Sequence, residues 1–311
     1  MSTSVAVLGL GLIGGSIALR AAETGADCTV YDPDVAVRSA AREAGLHVVD
    51  SAAGLSGAQA TVLAAPTTAV VGMLASGCLP PGDGLLIDVC STKSSVVAAA
   101  GGLRDRFVGT HPMAGRADSG FTHAEPGLLI GATWVLTPST STPPARLTEA
   151  LRFVNDTFEA GASIIGPDVH DQMVGLTSHL PHVLGQALVH RADDTNIALA
   201  AALAAGSFHG ATRVVRGSPT FPAELVWSNR ERVGDIITAV IADLAAVRDA
   251  LRSGDRQRVD DWFTQTALDE ARPETVVVDL PVSSSDVEVL LAYGESGYLA
   301  RLTGAGVIEL S

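Results

Sequence analysis

The chain predicts an α/β protein in two parts, a doubly wound parallel sheet followed by an all-helical domain. Three observations carry this reading. Short apolar runs alternate with Ala-rich helical stretches over the first half of the chain. A glycine cluster stands between the first run and the first helical pattern. Beyond residue 166 the alternation stops, and long Ala/Leu/Val-rich helical stretches replace it.

The elements follow in order. Residues 4–8 read as a buried strand and 14–25 as a helix. A second strand covers 28–32, and 34–45 is helical. Further apolar runs at 47–49, 61–65, 85–89 and 107–109 supply the rest of the sheet. A strand at 132–137 precedes a Ser/Thr/Pro-rich surface loop at 138–144. An amphipathic helix at 145–161 and a strand at 162–166 close the first domain. The expected division is 1–166 for the sheet domain, 167–273 for the helical domain and 274–311 for a short tail. The helical domain is hydrophobic for its length, which predicts that it dimerises with a second copy. The tail is too short for a stable domain of its own, and no complete regulatory module is expected there.

Composition narrows the function. The chain has 311 residues, of which 47% are hydrophobic and 17% charged, enough apolar material for a sizeable core. Its formal net charge of −14 repels phosphate backbones and acidic lipid, which argues against nucleic-acid and membrane partners. Aromatics, at 4%, are too few for a base-stacking surface. Cys28, Cys78 and Cys90 show neither metal-ligand spacing nor a disulfide framework. The start of the chain has no signal-peptide pattern, and no window is apolar enough to span a membrane. A cytoplasmic protein taking a small anionic ligand is the expectation.

Gly9, Gly11 and Gly14, with Leu12 and Ile13 between the last two, fit the G-x-G-x-x-G dinucleotide fingerprint of a Rossmann-type domain, directly after a predicted strand and opening a predicted helix. Gly9 permits the tight turn, Gly11 lets a pyrophosphate approach the backbone, and Gly14 lets helix and strand pack closely. The helix N-terminus offers its free N–H groups to the phosphates. Asp32 ends the second strand, eighteen residues past Gly14. An acid there accepts from a ribose 2′-OH and repels a 2′-phosphate, so NAD is predicted over NADP. Asp34 is the alternative ribose partner. A glycine-rich turn without a ligand is the bland alternative.

Four further clusters carry chemistry. Ser91 and Lys93 follow one strand; a His-Pro-Met-Ala-Gly run at 111–115, with Arg116 behind it, follows another. In an open α/β sheet ligands bind beyond the carboxyl ends of the strands, so Ser91, Lys93 and His111 share the crevice with a nicotinamide. Lys93 is the one lysine among 20 basic residues, which suggests a place where arginine does not substitute. A Ser-His-Leu-Pro-His run at 178–182 lies in a helical pattern, with His179 and His182 on one face and Pro181 kinking the helix. Arg213 follows in the helical domain.

Together these runs resemble the prephenate dehydrogenase family, which includes the arogenate dehydrogenases, over roughly residues 4–230. The resemblance implies NAD-dependent hydride transfer from a cyclohexadienol ring, coupled to loss of the ring carboxylate, on the way to tyrosine. It makes His111 the group that takes the 4-hydroxyl proton or its hydrogen bond, a task suited to a neutral imidazole. Ser91 orients His111 or the hydroxyl, and His182 faces the substrate. Ser178 and His179 join from the helical domain, and Arg213 binds a substrate carboxylate through its planar fork. Lys93 and Arg116 complete the substrate side, and no metal is needed.

Bland alternatives stand beside each: His111 as a loop cap, His179 and His182 as satisfied interface groups, Ser91 as a helix N-cap, Lys93 and Arg213 as surface charges. The sequence also departs from the family pattern. Arg116 and Ala117 stand where an acidic residue is common, Gly210 stands where an Asp is common three positions before the arginine, and Pro222 occupies the region of a family tryptophan. Losing two anionic partners for an ammonium, and gaining Arg116, favours prephenate over arogenate. An amino-substituted ring analogue is a third option. A β-hydroxyacid dehydrogenase or a non-catalytic NAD-binding protein are the competing classes.

Overall fold

The computed structural model describes residues 4–103, 105–116, 118–139, 141–216, 220–264, 275–303 and 307–311. The chain forms two compact units, Met1–Asp171 with Glu274–Ser311, and Gln172–Pro273.

In the first unit, β1 (Ser4–Leu8), α1 (Leu12–Glu23), β2 (Asp27–Tyr31), α2 (Val35–Glu43) and β3 (His47–Val48) make the first half of the sheet. β4 (Ala60–Leu63), α3 (Thr67–Ser76), β5 (Leu85–Asp88), α4 (Ser94–Ala99) and β6 (Phe107–Pro112) make the second. β4 and β5 are buried along their whole length, as strands covered on both faces must be. β7 (Trp134–Thr137), α5 (Pro144–Phe158) and β8 (Ala162–Ile164) follow. Trp134 is fully buried and stacks on Phe158 with ring centroids 5.0 Å apart, joining β7 to the end of α5. The next helix, α6 (Pro167–Val174), holds the boundary between the units.

The strands from β3 to β6 pair in parallel in the order β3-β2-β1-β4-β5-β6. The order reverses between β1 and β4, which creates the crevice where such sheets bind ligands. The sheet is not parallel throughout, however. β6 and β7 pair antiparallel, with His111 opposite Val135. A parallel return needs a crossover helix, and the described part of this connection holds only the 3-10 turn Phe121–His123.

The tail also differs from expectation. It folds as β9 (Val276–Asp279), α12 (Ser284–Glu295), β10 (Ala300–Leu302) and β11 (Val307–Leu310), and extends the same sheet beyond β8 in the order β10-β11-β9. A Ser283/Asp286 capping box starts α12. Gly294 lets α12 lie on β8: a Cβ there would sit 1.9 Å from the Ile164 carbonyl oxygen. The tail is therefore part of the first unit, because burying Leu290, Ile308 and Leu310 supplies the core it lacks alone.

The second unit is helical. A π-helical turn at Gly175–His179 runs into α7 (Leu180–Leu203), and α8 (Gly206–Ala211), α9 (Thr220–Ser228), α10 (Arg230–Ser253) and α11 (Arg256–Thr264) follow. Pro181 lacks an N–H, so the regular ladder cannot continue through the preceding turn, which widens instead. Among the described residues no helix is long and apolar enough to cross a membrane.

Candidate active site

The glycine turn is shaped by close approaches. Gly9 has φ +97°, and a Cβ on it would lie 2.5 Å from the Ala64 carbonyl oxygen after β4. A Cβ on Gly14 would lie 2.0 Å from the Gly9 carbonyl oxygen, so α1 packs on the turn only without a side chain. Gly11 is the opposite case, since a Cβ there meets nothing within 4 Å. The open position, at the N-terminus of α1, is where a dinucleotide's pyrophosphate fits. Leu12 and Ile13 are half-buried in the first turn of α1. Asp32 accepts from Leu10 N at 2.7 Å and from Asp34 N at 2.9 Å, so its carboxylate lies against the glycine turn. Asp34 instead caps α2, accepting from Ala36 N at 2.8 Å. That leaves Asp32 as the ribose candidate.

The carboxyl ends of β5 and β6 hold a second, buried assembly. Asp88 accepts from Cys90 N at 2.9 Å and Thr110 N at 3.2 Å. Lys93 pairs with Asp88 and donates to the Thr110 carbonyl oxygen at 2.6 Å, with no exposed surface. Next to Thr110, the Nδ1 atom of His111 lies 2.9 Å from Nε2 of His170. The Nδ1 atom of His170 lies 2.8 Å from Oδ1 of Asp171. Asp171 then accepts from Lys93 N at 2.7 Å and Ser94 N at 2.8 Å, capping α4. The contacts close a ring from β5 through β6 and α6 back to α4.

Two charges in this ring are held by opposing effects. Burial pushes His170 below the ordinary imidazole value, and this outweighs the hydrogen bond from Asp171 that raises it. Burial alone would raise Asp171, but the His170, Ser94 and Lys93 hydrogen bonds outweigh it and hold the carboxyl below its usual range. His170 is therefore neutral and Asp171 ionised at neutral pH.

The structure corrects several sequence expectations. Lys93 is neither a substrate ligand nor a surface charge, because its ammonium is enclosed by Asp88 and Thr110. Ser91 is half-buried on the bend after β5, and it does not cap α4, whose first N–H groups go to Asp171. Arg116 makes a two-pronged pair with Glu125 at 2.8 and 2.7 Å, so the positive charge it was expected to add is matched. Ala117 lies outside the described residues.

Within the helical unit, His179 and His182 part ways. His179 is buried against Asn229, with Nδ1 3.2 Å from the amide nitrogen. His182 is half-buried beside the Val214 backbone, and burial lowers its pKa. The adjoining Arg213 is exposed at the start of a 3-10 turn, and Ser178 is half-buried in the π-turn. A Cβ on Gly210 meets nothing within 4 Å, so the backbone there does not demand glycine. The sequence reading missed His170 and Asp171. Their signal was an adjacent His-Asp pair opening the helix after Gly166, at the carboxyl end of the last strand of the first half.

A nucleotide-binding sheet unit carrying a half-buried imidazole at a strand end, followed by a helical unit, defines a dehydrogenase-type architecture. Known proteins agree. The prephenate dehydrogenase nucleotide-binding domain matches residues 16–165, and the prephenate dehydrogenase dimerization domain matches residues 166–265. The chain is 30% identical over 272 residues to a prephenate dehydrogenase of Lactococcus lactis, covering 84% of this chain and 75% of that one. It is 29% identical over 283 residues to a prephenate dehydrogenase of Bacillus subtilis, covering 86% and 75%. The crystal structure of Synechocystis arogenate dehydrogenase superposes with a TM-score of 0.74 at 26% identity, covering 85% of this chain and 97% of that one. The chain belongs to the prephenate dehydrogenase family of NAD-dependent oxidoreductases.

Proposed function

We propose that this protein oxidises and decarboxylates prephenate to 4-hydroxyphenylpyruvate with NAD, supplying tyrosine. One observation carries the reading: the parallel strands β1, β4, β5 and β6 bring the glycine turn, Ser91 and His111 to the same edge of one sheet. The Gly9–Gly14 turn would hold NAD with Asp32 toward its ribose, and the bound cofactor would supply the hydride acceptor. His111 takes the hydrogen bond of the 4-hydroxyl as C4 loses hydride, and the phenol of the product retains that proton. The ring carboxylate leaves as CO2, and its bonding electrons complete the aromatic ring. Ser91 orients the hydroxyl or His111. By the family resemblance, His182 and Arg213 would serve the substrate, Arg213 by pairing with a substrate carboxylate, and Ser178 would assist.

Prephenate is favoured over arogenate because Gly210 offers an incoming ammonium no anion. Arg116 no longer contributes to this argument, since Glu125 neutralises it. The second reading, arogenate, is supported by the likeness to the Synechocystis enzyme. We also infer a homodimer built through the helical unit, and a cytoplasmic site in keeping with free Cys28, Cys78 and Cys90.

The test is NADH formation with prephenate and arogenate side by side, with His111→Asn and Gly210→Asp beside the wild type. Prephenate should be used with about tenfold or higher kcat/KM, the worth of one charge-assisted hydrogen bond. His111→Asn should lower kcat by roughly 10²- to 10⁴-fold, and Gly210→Asp should move the ratio toward arogenate. Equal efficiency on both substrates overturns the preference. Unchanged turnover in His111→Asn overturns the role assigned to His111.

A further inference from the structure

We propose that His170 and Asp171 are positioning residues that fix the ring tautomer and orientation of His111. The inference rests on the reading of His111 as the group facing the substrate hydroxyl, and it adds what makes that group competent.

The argument follows the protons along the chain of contacts. Asp171 is an acceptor only, with one oxygen on Lys93 N, the other on Ser94 N, and the first also facing His170. Nδ1 of His170 must therefore be the donor at 2.8 Å. A neutral imidazole with a proton on Nδ1 has its lone pair on Nε2. That lone pair faces Nδ1 of His111 at 2.9 Å, so His111 must donate from Nδ1. The acceptor lone pair of neutral His111 is then on Nε2. Without this chain a neutral imidazole carries its proton mainly on Nε2, and that tautomer would present a donor to the substrate hydroxyl.

The assembly is built to hold this order. His170 is 1% exposed, so water does not compete for either nitrogen. The rings of His111 and His170 meet edge to face at 75° with centroids 5.1 Å apart, a geometry that limits rotation of both. The titratable groups facing His170 are Asp171, His111, Lys93 and Asp88. Lys93 opposes a second positive charge there and so favours the neutral acceptor form. Asp171 caps α4 as well, which ties the acceptor end of the chain to the backbone beside Ser91. The same logic orients metal-bound and catalytic histidines elsewhere, where loss of the outer partner commonly costs about 10- to 100-fold.

The experiment uses the full-length protein with ¹⁵N-labelled histidine and NAD present. His111→Asn identifies the His111 signals among the 8 histidines. Long-range ¹H–¹⁵N spectra distinguish a protonated ring nitrogen from a bare one. In the wild type, His111 should be protonated at Nδ1 and bare at Nε2. In His170→Leu the signals should move to a tautomer mixture. In His170→Gln, whose amide oxygen can accept from Nδ1, they should return most of the way. With prephenate, His170→Leu should lower kcat about 10- to 100-fold with KM for prephenate and NAD within about threefold, and His170→Gln should recover most of it. Because protonating His170 removes the acceptor, part of the acid-side loss of kcat should vanish in His170→Gln.

A wild-type His111 protonated at Nε2 overturns the proposal, as does a tautomer that His170→Leu leaves unchanged. Asp171→Leu gives a second check: with no acceptor left for Nδ1 of His170, the His111 signals should move to the same tautomer mixture, and an unchanged tautomer overturns the proposal. If the tautomers behave as stated but neither prephenate nor arogenate is turned over, the substrate reading fails and the positioning role stands. A loss of kcat that Gln does not recover, with the wild-type tautomer retained, would mark a packing role alone and overturn the proposal.

Discussion

Lys93 shows how a single side chain can be singled out by sequence and still be misassigned. Its survival as the one lysine among arginines marks a position where a compact ammonium matters. The reason is enclosure: Asp88, five residues earlier on β5, and the Thr110 carbonyl on β6 leave space for a point charge and no more. Neither burial nor the Thr110 contact can be read along the chain, because both depend on β5 and β6 pairing. The same holds for His111, whose motif was legible while its partner His170, 59 residues on, was not. Lys93→Met should leave the buried Asp88 carboxyl without its countercharge, at a cost of about 3–5 kcal/mol. Lys93→Arg should restore little of it, since a planar guanidinium is larger than the ammonium that Asp88 and the Thr110 carbonyl enclose. Denaturant unfolding of the two variants measures this, and a Lys93→Met protein as stable as the wild type refutes the structural role.

At the scale of elements, the β1–α1 turn separates folding glycines from binding glycines. The fingerprint, its strand and its helix were all legible because they are local: a turn, a period-3.6 pattern and an acid after the next strand. The antiparallel β7 and the tail strands were not, because strand direction is set by the connection and by partners distant in sequence. The π-turn before Pro181 was half legible: the proline announced a break, but not that His179 would turn to Asn229 while His182 lay by Val214. The two kinds of glycine make a direct comparison. Gly14→Ala places a methyl 2.0 Å from the Gly9 carbonyl oxygen and should destabilise the first unit. Gly11→Ala meets nothing within 4 Å and should leave the melting temperature within about a degree, a shift of a few tenths of a kcal/mol. Its methyl fills the space where the pyrophosphate approaches, so NAD affinity should fall by about tenfold or more. Calorimetric titration with NAD beside thermal melts separates the two effects, and undiminished NAD binding by Gly11→Ala would show that the dinucleotide lies elsewhere.

At the scale of the whole molecule, the helical unit leaves a great deal of apolar surface uncovered. Leu184, Leu188, Leu199 and Leu203 of α7 and Ile241, Leu244 and Leu251 of α10 are each at least 39% exposed, and Leu203 reaches 75%. Scattered single leucines on a surface are ordinary, but repeated ones on two long helices mark an interface. The match of this region to a dimerization domain fits the homodimer proposed above, in which two copies of the same helices would form a self-complementary, two-fold contact. Each chain carries a formal charge of −14, so long-range repulsion opposes the association that these leucines favour. Added salt screens the repulsion over a Debye length of about 8 Å near physiological ionic strength, and it leaves apolar burial intact. The dimer should therefore tighten, not loosen, as salt is raised. Ile241→Glu with Leu244→Glu on α10 should yield monomers in sedimentation velocity at micromolar concentration, while NAD binding persists because its residues belong to the first unit. A double variant that still sediments as a dimer would move the interface off α10, and a dimer that loosens with salt would mean that ion pairs rather than leucines hold it.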